Sequence, residues 1–190
     1  MATWDFGGGC SCGVSKVCDC KSSEPPVIKK DDIIPNKAQV WSWDRYFMAI
    51  ADITSRKSKD PSSQVGAVLV DDDNAVVSTG FNGFPKGTSD DPALYHNREE
   101  KYKRVLHAEC NALLFADRKG STMYITHHPC SQCMAMMIQR GVKKIVFNNT
   151  NAEFMQRNVD SIASSKQLAK EANVMLIEYK YQNMENQVYE

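Results

Sequence analysis

Four side chains in the second half of the chain have the types and spacing of a metal-dependent hydrolytic site. His107 and Glu109 form an H-x-E motif, and Cys130 and Cys133 form a P-C-x-x-C motif further along the chain. One imidazole and two thiolates bind zinc, and a three-ligand set leaves a fourth position for water, as in catalytic zinc sites. Because zinc lowers the pKa of bound water to about 7, we predict that Glu109 moves protons to and from that water.

Each motif alone has a second interpretation. A C-x-x-C pair also occurs as a redox pair or as half of a structural zinc site, and a lone histidine is more often an ordinary core or surface residue. The two motifs occur here together and in this order, which favours the catalytic interpretation. The remaining sulfur-containing residues nearby are expected to face the core or to pack the second helix: Cys110, Met134, Met136 and Met137.

Apolar periodicity predicts the elements that position these motifs. His107 and Cys130 each begin a predicted helix, where the positive end of the helix dipole favours a thiolate. A hairpin followed by strand–helix alternation predicts an α/β fold with a mixed five-stranded central sheet and helices on both faces, a three-layer αβα arrangement. The predicted helices are 41–57, 107–119, 131–140 and 158–172; the predicted strands are 65–70, 75–79, 122–126, 144–147 and 174–179.

Composition excludes several classes of protein. The chain has 190 residues and equal numbers of basic and acidic side chains, 23 of each, which argues against a polynucleotide or an anionic membrane as partner. It has no apolar run of the roughly 20 residues that span a bilayer, and it begins without a signal-peptide pattern. We therefore expect a cytoplasmic protein, in which the mixed-sign segment 88–106 is a solvated surface or a subunit contact.

The first part of the chain differs from the rest. Residues 1–37 are rich in Gly and Pro, and we interpret them as an N-terminal extension that precedes a catalytic domain over 38–190. This extension carries four of the seven cysteines, Cys10, Cys12, Cys18 and Cys20. An odd total without a secretory signal argues against a disulfide framework. The four thiols have two interpretations: a second, structural zinc site, or a free tail or segment added for expression.

From about Trp41 to Tyr179 the chain resembles the deoxycytidylate (dCMP) deaminases of the cytidine deaminase superfamily. The zinc motifs match the H-x-E…P-C-x-x-C pattern of zinc deaminases. Further matching stretches are SKDPSSQVGA at 58–67, GFNGFPKG at 80–87, HAECNA at 107–112 and MYITHHPC at 123–130. The glycine-rich stretch at 80–87 separates this family from nucleoside and tRNA deaminases better than the zinc motif does.

The resemblance implies a cytidine deaminase-like fold and hydrolytic deamination of dCMP to dUMP and ammonia. It implies that His107, Cys130 and Cys133 hold Zn²⁺ and that Glu109 carries protons. It further implies that Asn82 contacts the sugar and the Ala108 backbone contacts the pyrimidine. Such enzymes are commonly homohexamers that dCTP activates and dTTP inhibits, with Mg²⁺ accompanying the triphosphate. The loop expected to bind the effector contains Gly80, Phe81, Asn82, Gly83, Phe84 and Gly87.

Two features of substrate binding are less well defined by the sequence. Arg56, Ser58 and Lys59 are the best cluster of phosphate donors, although a solvated helix end is an equal interpretation. The resemblance implies a stacking tyrosine after the strand that ends near Phe147, where this chain offers only the Phe154 ring. The rival functions are another deaminase of the superfamily, acting on a nucleoside, base or polynucleotide, and a non-catalytic zinc- or nucleotide-binding module.

Overall fold

The computed structural model describes residues 40–148 and 152–180. The predicted extension over 1–37 and its four cysteines lie outside the described residues, so their proposed role stays a prediction. Among the helices in the described part of the chain, none is long and apolar enough to cross a membrane.

The centre of the fold is one mixed sheet of five strands, as the sequence predicts. Its order is β2-β1-β3-β4-β5. β1 pairs antiparallel with both β2 and β3, whereas β3, β4 and β5 run parallel. The strands are β1 (Gly66–Val70), β2 (Val76–Phe81), β3 (Thr122–Ile125), β4 (Lys144–Phe147) and β5 (Met175–Glu178).

Helices cover both faces of this sheet, which confirms the three-layer αβα arrangement. On one face α1 buries Phe47 and Met48 against Val68 and Tyr124. On the other face α4, α5 and α7 form a larger core with the opposite sides of the same strands. The helices are α1 (Trp43–Ser55), α2 (Pro92–His96), α3 (Arg98–Arg104), α4 (Ala108–Leu114), α5 (Ser131–Gln139), α6 (Ala152–Arg157) and α7 (Val159–Glu171).

The main differences from the sequence prediction are two element boundaries and one additional helix. β2 extends through Gly80 and Phe81, which were expected in a loop, because both residues pair with the start of β1. α4 ends at Leu114 rather than near residue 119, since the chain must turn back for Ser121 to donate a hydrogen bond to the Val70 carbonyl at 2.8 Å. The helix α6 was not predicted.

Two side chains that were expected to pack are more exposed than predicted. Met134 and Met137 are fully buried in the core, but Met136 lies on the outer side of α5 and is exposed. Cys110 is only partly buried. Both residues are on the outer sides of helices whose opposite faces already cover the sheet.

The charged segment 88–106 is mostly exposed, as expected for a solvated surface, but two of its side chains are buried. The alternative of a subunit contact stays a prediction. The segment folds into α2 and α3 and buries Tyr95 and Lys101. The Tyr95 ring stacks on Phe84 with 4.0 Å between ring centroids. Gly83 and Leu106 exchange two backbone hydrogen bonds, so the end of the segment is joined to the end of β2 directly before His107.

Candidate active site

Two helix N-termini bring the histidine and the two cysteines together. His107 is the N-cap residue of α4, and Cys130 is the N-cap residue of α5, one turn before Cys133. The His107 Nδ1 atom lies 3.5 Å from Cys130 Sγ and 3.4 Å from Cys133 Sγ. The three candidate ligand atoms all lie within 4.8 Å of one another. The ends of β2 and β3 lie on either side of the start of β1, so the segments that lead to α4 and α5 leave the sheet at the same edge.

The donor set and its spacing fit a zinc ion. With Zn–S near 2.3 Å and Zn–N near 2.0 Å, tetrahedral geometry requires about 3.5 Å between nitrogen and sulfur ligands. Both nitrogen–sulfur distances agree with this value. One imidazole and two thiolates match zinc in ligand type as well.

Burial and hydrogen bonding shift the titration of these groups. Hydrogen bonds from Cys133 and from His107 lower the pKa of the Cys130 thiol to about 4. The contact between His107 and Cys130 also raises the pKa of His107 to about 9. The contact between Cys133 and Cys130, together with burial, raises the pKa of the Cys133 thiol. These opposite shifts are typical of a compact cluster in which one thiolate is shared by two proton donors.

Glu109 lies next to this cluster, in the first turn of α4. Its residue surface is 4% exposed, and burial raises the pKa of its carboxyl, although His107 opposes the shift. A raised pKa brings the titration of a carboxyl group closer to neutral pH, which favours both accepting and returning a proton. We call the set of His107, Glu109, Cys130 and Cys133 the metal floor.

The metal floor opens into a cavity of about 350 Å³. Its remaining walls come from the loop before β1, the end of β2, α3, the loop before α5, and α6. Besides three members of the metal floor, the cavity is lined by Asp60, Ser62, Ser63, Val65, Asn82, Arg98, Lys101, Tyr102, Val105, Ala108, His127, His128, Phe154, Arg157 and Asn158.

One face of α3 forms the cationic side of this cavity. Arg98, Lys101, Tyr102 and Val105 follow the i, i+3, i+4, i+7 spacing of a single helix face, and all four line the cavity. The other charges of the helix pair with one another, Lys103 with Glu99 and Arg104 with Glu100. We call the four cavity-lining residues the α3 wall.

Three of the predicted substrate contacts line the cavity. They are Asn82, Ala108 and Phe154, the last lying edge-on to His127 with 5.1 Å between ring centroids. Arg56, Ser58 and Lys59 do not line it. Arg56 is exposed at the end of α1, Ser58 is buried with its hydroxyl against the Asp60 backbone, and Lys59 pairs with Asp90.

The predicted effector loop has several structural contacts. Gly80 lies against α4, where an added Cβ would come within 2.2 Å of the Ala108 carbonyl oxygen. Gly87 has a φ of +85°, a conformation that favours glycine. Phe81 is partly exposed on the edge strand. Phe84 stacks on Tyr95 and Gly83 pairs with Leu106, so the loop is joined to the segment that leads to His107.

Sequence reasoning missed several cavity residues. The α3 wall had a detectable signal, since its helical spacing is present in the sequence. His128 had none: it is buried, its Nδ1 lies 2.8 Å from the Pro129 carbonyl oxygen, and its Nε2 has no hydrogen-bond partner in the described part of the chain. Burial lowers the pKa of both His127 and His128, so the two rings are neutral walls of the cavity.

Comparison with known proteins assigns this arrangement to a class. The sequence profile of the cytidine and deoxycytidylate deaminase zinc-binding region matches residues 41–149, which include the whole metal floor. The deoxycytidylate deaminase of Homo sapiens is 40% identical over 133 residues, which cover 66% of this chain and 71% of that protein. The deoxycytidylate deaminase of Mus musculus is 42% identical over 127 residues, covering 63% and 67% respectively.

Solved structures agree with this assignment. The apo dCMP deaminase of the cyanophage S-TIM5 superposes with a TM-score of 0.55 at 27% identity, covering 72% of this chain and 96% of that one. The same phage enzyme in complex with dCMP and dUMP gives a TM-score of 0.54 at 27% identity, covering 71% and 95%. The chain is a deaminase, and it belongs to the cytidine and deoxycytidylate deaminase family.

Proposed function

We propose that this chain catalyses the hydrolytic deamination of dCMP to dUMP and ammonia, with Zn²⁺ bound by His107, Cys130 and Cys133. The observation that carries this proposal is that the metal floor and the cationic α3 wall border one cavity. The relatives named deoxycytidylate deaminase support the choice of substrate, as does the phage deaminase structure that contains dCMP and dUMP.

Glu109 is the proposed proton carrier. Bound zinc supplies a water nucleophile at neutral pH by lowering the pKa of that water. The Glu109 carboxylate accepts a proton from the attacking water and delivers it to N3 of the pyrimidine. A second proton transfer, to the C4 amino group, allows that group to leave as ammonia. One water is consumed and one ammonia released. The burial that raises the pKa of Glu109 suits both directions of transfer.

Other cavity residues suit the base and the sugar. Ala108 is the first residue of α4, so its N–H has no partner within the helix and is available to a pyrimidine acceptor. Asn82 Oδ1 accepts from the Val65 N–H, and Asn82 Nδ2 donates to the Ser63 carbonyl and to Asp60 Oδ2, which leaves one lone pair of Oδ1 for a sugar hydroxyl. The ring of Phe154 is proposed to pack against the base.

The substrate phosphate is proposed to bind at Arg98 and Arg157. Both line the cavity, whereas Arg56 and Lys59 do not. Arginine presents paired N–H donors that match phosphate oxygens. Arg98 is held by its own helix, since its Nε donates a hydrogen bond to the Tyr102 hydroxyl at 2.9 Å. This contact orients the guanidinium group at the cavity surface.

We also propose that dCTP activates the enzyme and dTTP inhibits it, with Mg²⁺ accompanying the triphosphate at the 80–87 loop. The Gly83–Leu106 pairing supports this proposal, because it joins the loop to the residue before His107. A homohexamer and a cytoplasmic location remain part of the same proposal.

The catalytic domain over 38–190 and a second zinc at Cys10, Cys12, Cys18 and Cys20 are separate proposals. Metal analysis of the full chain should give two zinc ions per chain, and analysis of a truncation before Pro35 should give one. One zinc in both proteins would exclude the second site.

Substrate preference tests the main proposal. Purified protein should convert dCMP much faster than deoxycytidine or CMP, and dCTP and dTTP should shift the dCMP saturation curve in opposite directions. Equal rates on dCMP and deoxycytidine would contradict the monophosphate assignment. Indifference to both triphosphates would contradict the regulatory one.

A further inference from the structure

Lys101 is the one member of the α3 wall whose charge is buried. Its residue surface is 8% exposed, and that of its partner Asp60 is 4% exposed. The Lys101 ammonium lies 3.2 Å from Asp60 Oδ1 and 2.6 Å from the Ser62 hydroxyl. Lys103, on the outer face of the same helix, pairs with Glu99 and Glu100 in solvent. The two lysines therefore differ in burial and in partner but share a helix.

Asp60 organises the segment 60–65, which we call the Asp60 loop. Its Oδ1 accepts hydrogen bonds from the Ser62 N–H at 2.9 Å, the Ser62 hydroxyl at 2.8 Å and the Ser63 N–H at 3.2 Å. Burial alone would raise the pKa of Asp60, but the hydrogen bonds from Ser62 and Lys101 hold it below its usual value. The carboxyl group is therefore a charged anchor for the loop.

The Asp60 loop in turn fixes Asn82. Asn82 Nδ2 donates to the Ser63 carbonyl at 2.9 Å, and its Oδ1 accepts from the Val65 N–H at 2.8 Å. The Asn82 N–H also donates to the Val65 carbonyl at 3.2 Å. A continuous series of short contacts thus runs from Lys101 through Asp60 and Ser63 to Asn82, and all four residues line the cavity.

Stability alone does not explain a buried ion pair at this place. Because both charges lose hydration, such a pair contributes little net stability compared with apolar side chains of the same size. The pair does, however, fix the position of one element relative to another. It joins α3, which lies outside the sheet layers, to the loop that precedes β1. Without the Lys101 charge, Asp60 would be a buried carboxylate without its cation, and the loop would rearrange to solvate it.

We infer that Lys101 is a positioning residue: through the Lys101–Asp60 pair it holds the Asp60 loop in the conformation that fixes Asn82 for substrate binding. The role in binding rests on the proposed function, because Asn82 is there the contact to the sugar. The role in ordering the loop does not depend on any activity. Lys101 acts on dCMP through Asp60 and Asn82 rather than by direct contact.

Steady-state kinetics and hydrogen exchange test this inference together. Lys101→Met should raise KM for dCMP by about tenfold while kcat changes less than threefold, because the metal floor is held by other elements. Amide exchange in the Asp60 loop, at Ser63 and Val65, should become faster. Lys101→Arg should restore much of both properties. The matched control is Lys103→Met on the same helix, which should leave KM and exchange unchanged.

Asp60→Asn keeps the inference falsifiable if Lys101→Met does not fold. It should raise KM to a similar extent, and the double variant should be no worse than either single variant, since both remove the same pair. Unchanged exchange in the Asp60 loop would overturn the positioning role, whatever the activity. Loss of the preference for dCMP over deoxycytidine in Lys101→Met, but not in Asp60→Asn, would instead indicate direct phosphate contact and overturn it as well. Wild-type protein that does not convert dCMP would contradict the proposed function and leave the exchange result to decide the positioning role.

Discussion

The metal floor and the α3 wall face the same cavity but are built in different ways. The metal floor consists of two short motifs at the N-termini of α4 and α5, helices whose other sides pack against the sheet. The α3 wall belongs to a seven-residue helix outside the sheet layers, held by one buried ion pair and the Gly83–Leu106 bridge. Under the proposed function, the core therefore fixes the groups that carry out the reaction, while a separately attached helix supplies groups that select the substrate.

The largest effect is expected at the metal floor. Glu109→Gln keeps the size of the side chain but removes proton transfer, so turnover of dCMP should fall by about 10²- to 10⁴-fold. Zinc content, measured by metal analysis, should not change, because Glu109 is not one of the three clustered ligands. Glu99→Gln, which makes the same change on the exposed side of α3, is the matched control. Activity of Glu109→Gln near that of the control would remove its proposed role.

A smaller effect, on thermal stability, is expected at Gly80, where β2 lies against α4. In Gly80→Ala the new methyl group would come within 2.2 Å of the Ala108 carbonyl and 2.4 Å of the Ala112 nitrogen. Because these are backbone atoms, α4 must move, at a cost of about 1–3 kcal/mol. At about 2–4 °C per kcal/mol, thermal unfolding should shift down by several degrees.

The control for this variant lies in the same loop. In Gly83→Ala the nearest atom would be a Phe81 ring carbon at 3.8 Å, an ordinary contact. This variant should unfold within about 1 °C of wild type. Equal destabilisation by the two substitutions would show that contact with α4 is not what requires glycine at position 80.

The difference between the two regions also explains what the sequence could predict. Within each motif the metal-floor residues are two or three positions apart at a predicted helix start, so local spacing identifies them. The mixed five-stranded sheet and its helix layers follow from apolar runs and connection rules. The sequence of α3 also has a helical pattern, but charged residues occur on all sides of it, so the pattern does not indicate which face is buried. Lys101 is buried because it pairs with Asp60, which is 41 residues earlier in the chain.

The predicted phosphate donors lie outside the cavity lining for a related reason. Arg56 precedes the matching stretch 58–67 and Lys59 lies within it, but α1 ends with Arg56 in solvent, and Lys59 faces Asp90. Arg98 and Arg157 are far apart in the chain, and only the fold brings both to the lining of one cavity. Long-range side-chain pairing of this kind leaves no local signal.

The smallest effect concerns the pH dependence of stability. The pKa of Asp60 is held below its usual value in the folded protein, so its charge stabilises the fold above the unfolded value of about 3.9 and this contribution is lost as pH falls through the folded value. The difference in unfolding temperature between wild type and Asp60→Asn should be full at pH 7 and shrink below about pH 4. If the difference in unfolding temperature between the two proteins stayed constant down to pH 3, the charge of Asp60 would not contribute to the stability of the folded protein.

The most direct test of the separate roles of the metal floor and the α3 wall is the ratio of kcat/KM for dCMP to that for deoxycytidine, measured for wild type, Glu109→Gln and Arg98→Ala. We predict that wild type prefers dCMP, that Glu109→Gln lowers kcat/KM for both substrates by the same factor, and that Arg98→Ala lowers it about tenfold or more for dCMP only, as for loss of a hydrogen bond to a charged group. Arg56→Ala, outside the cavity, should match wild type. An Arg98→Ala variant that loses activity equally on both substrates, or a wild type without preference, would contradict the account.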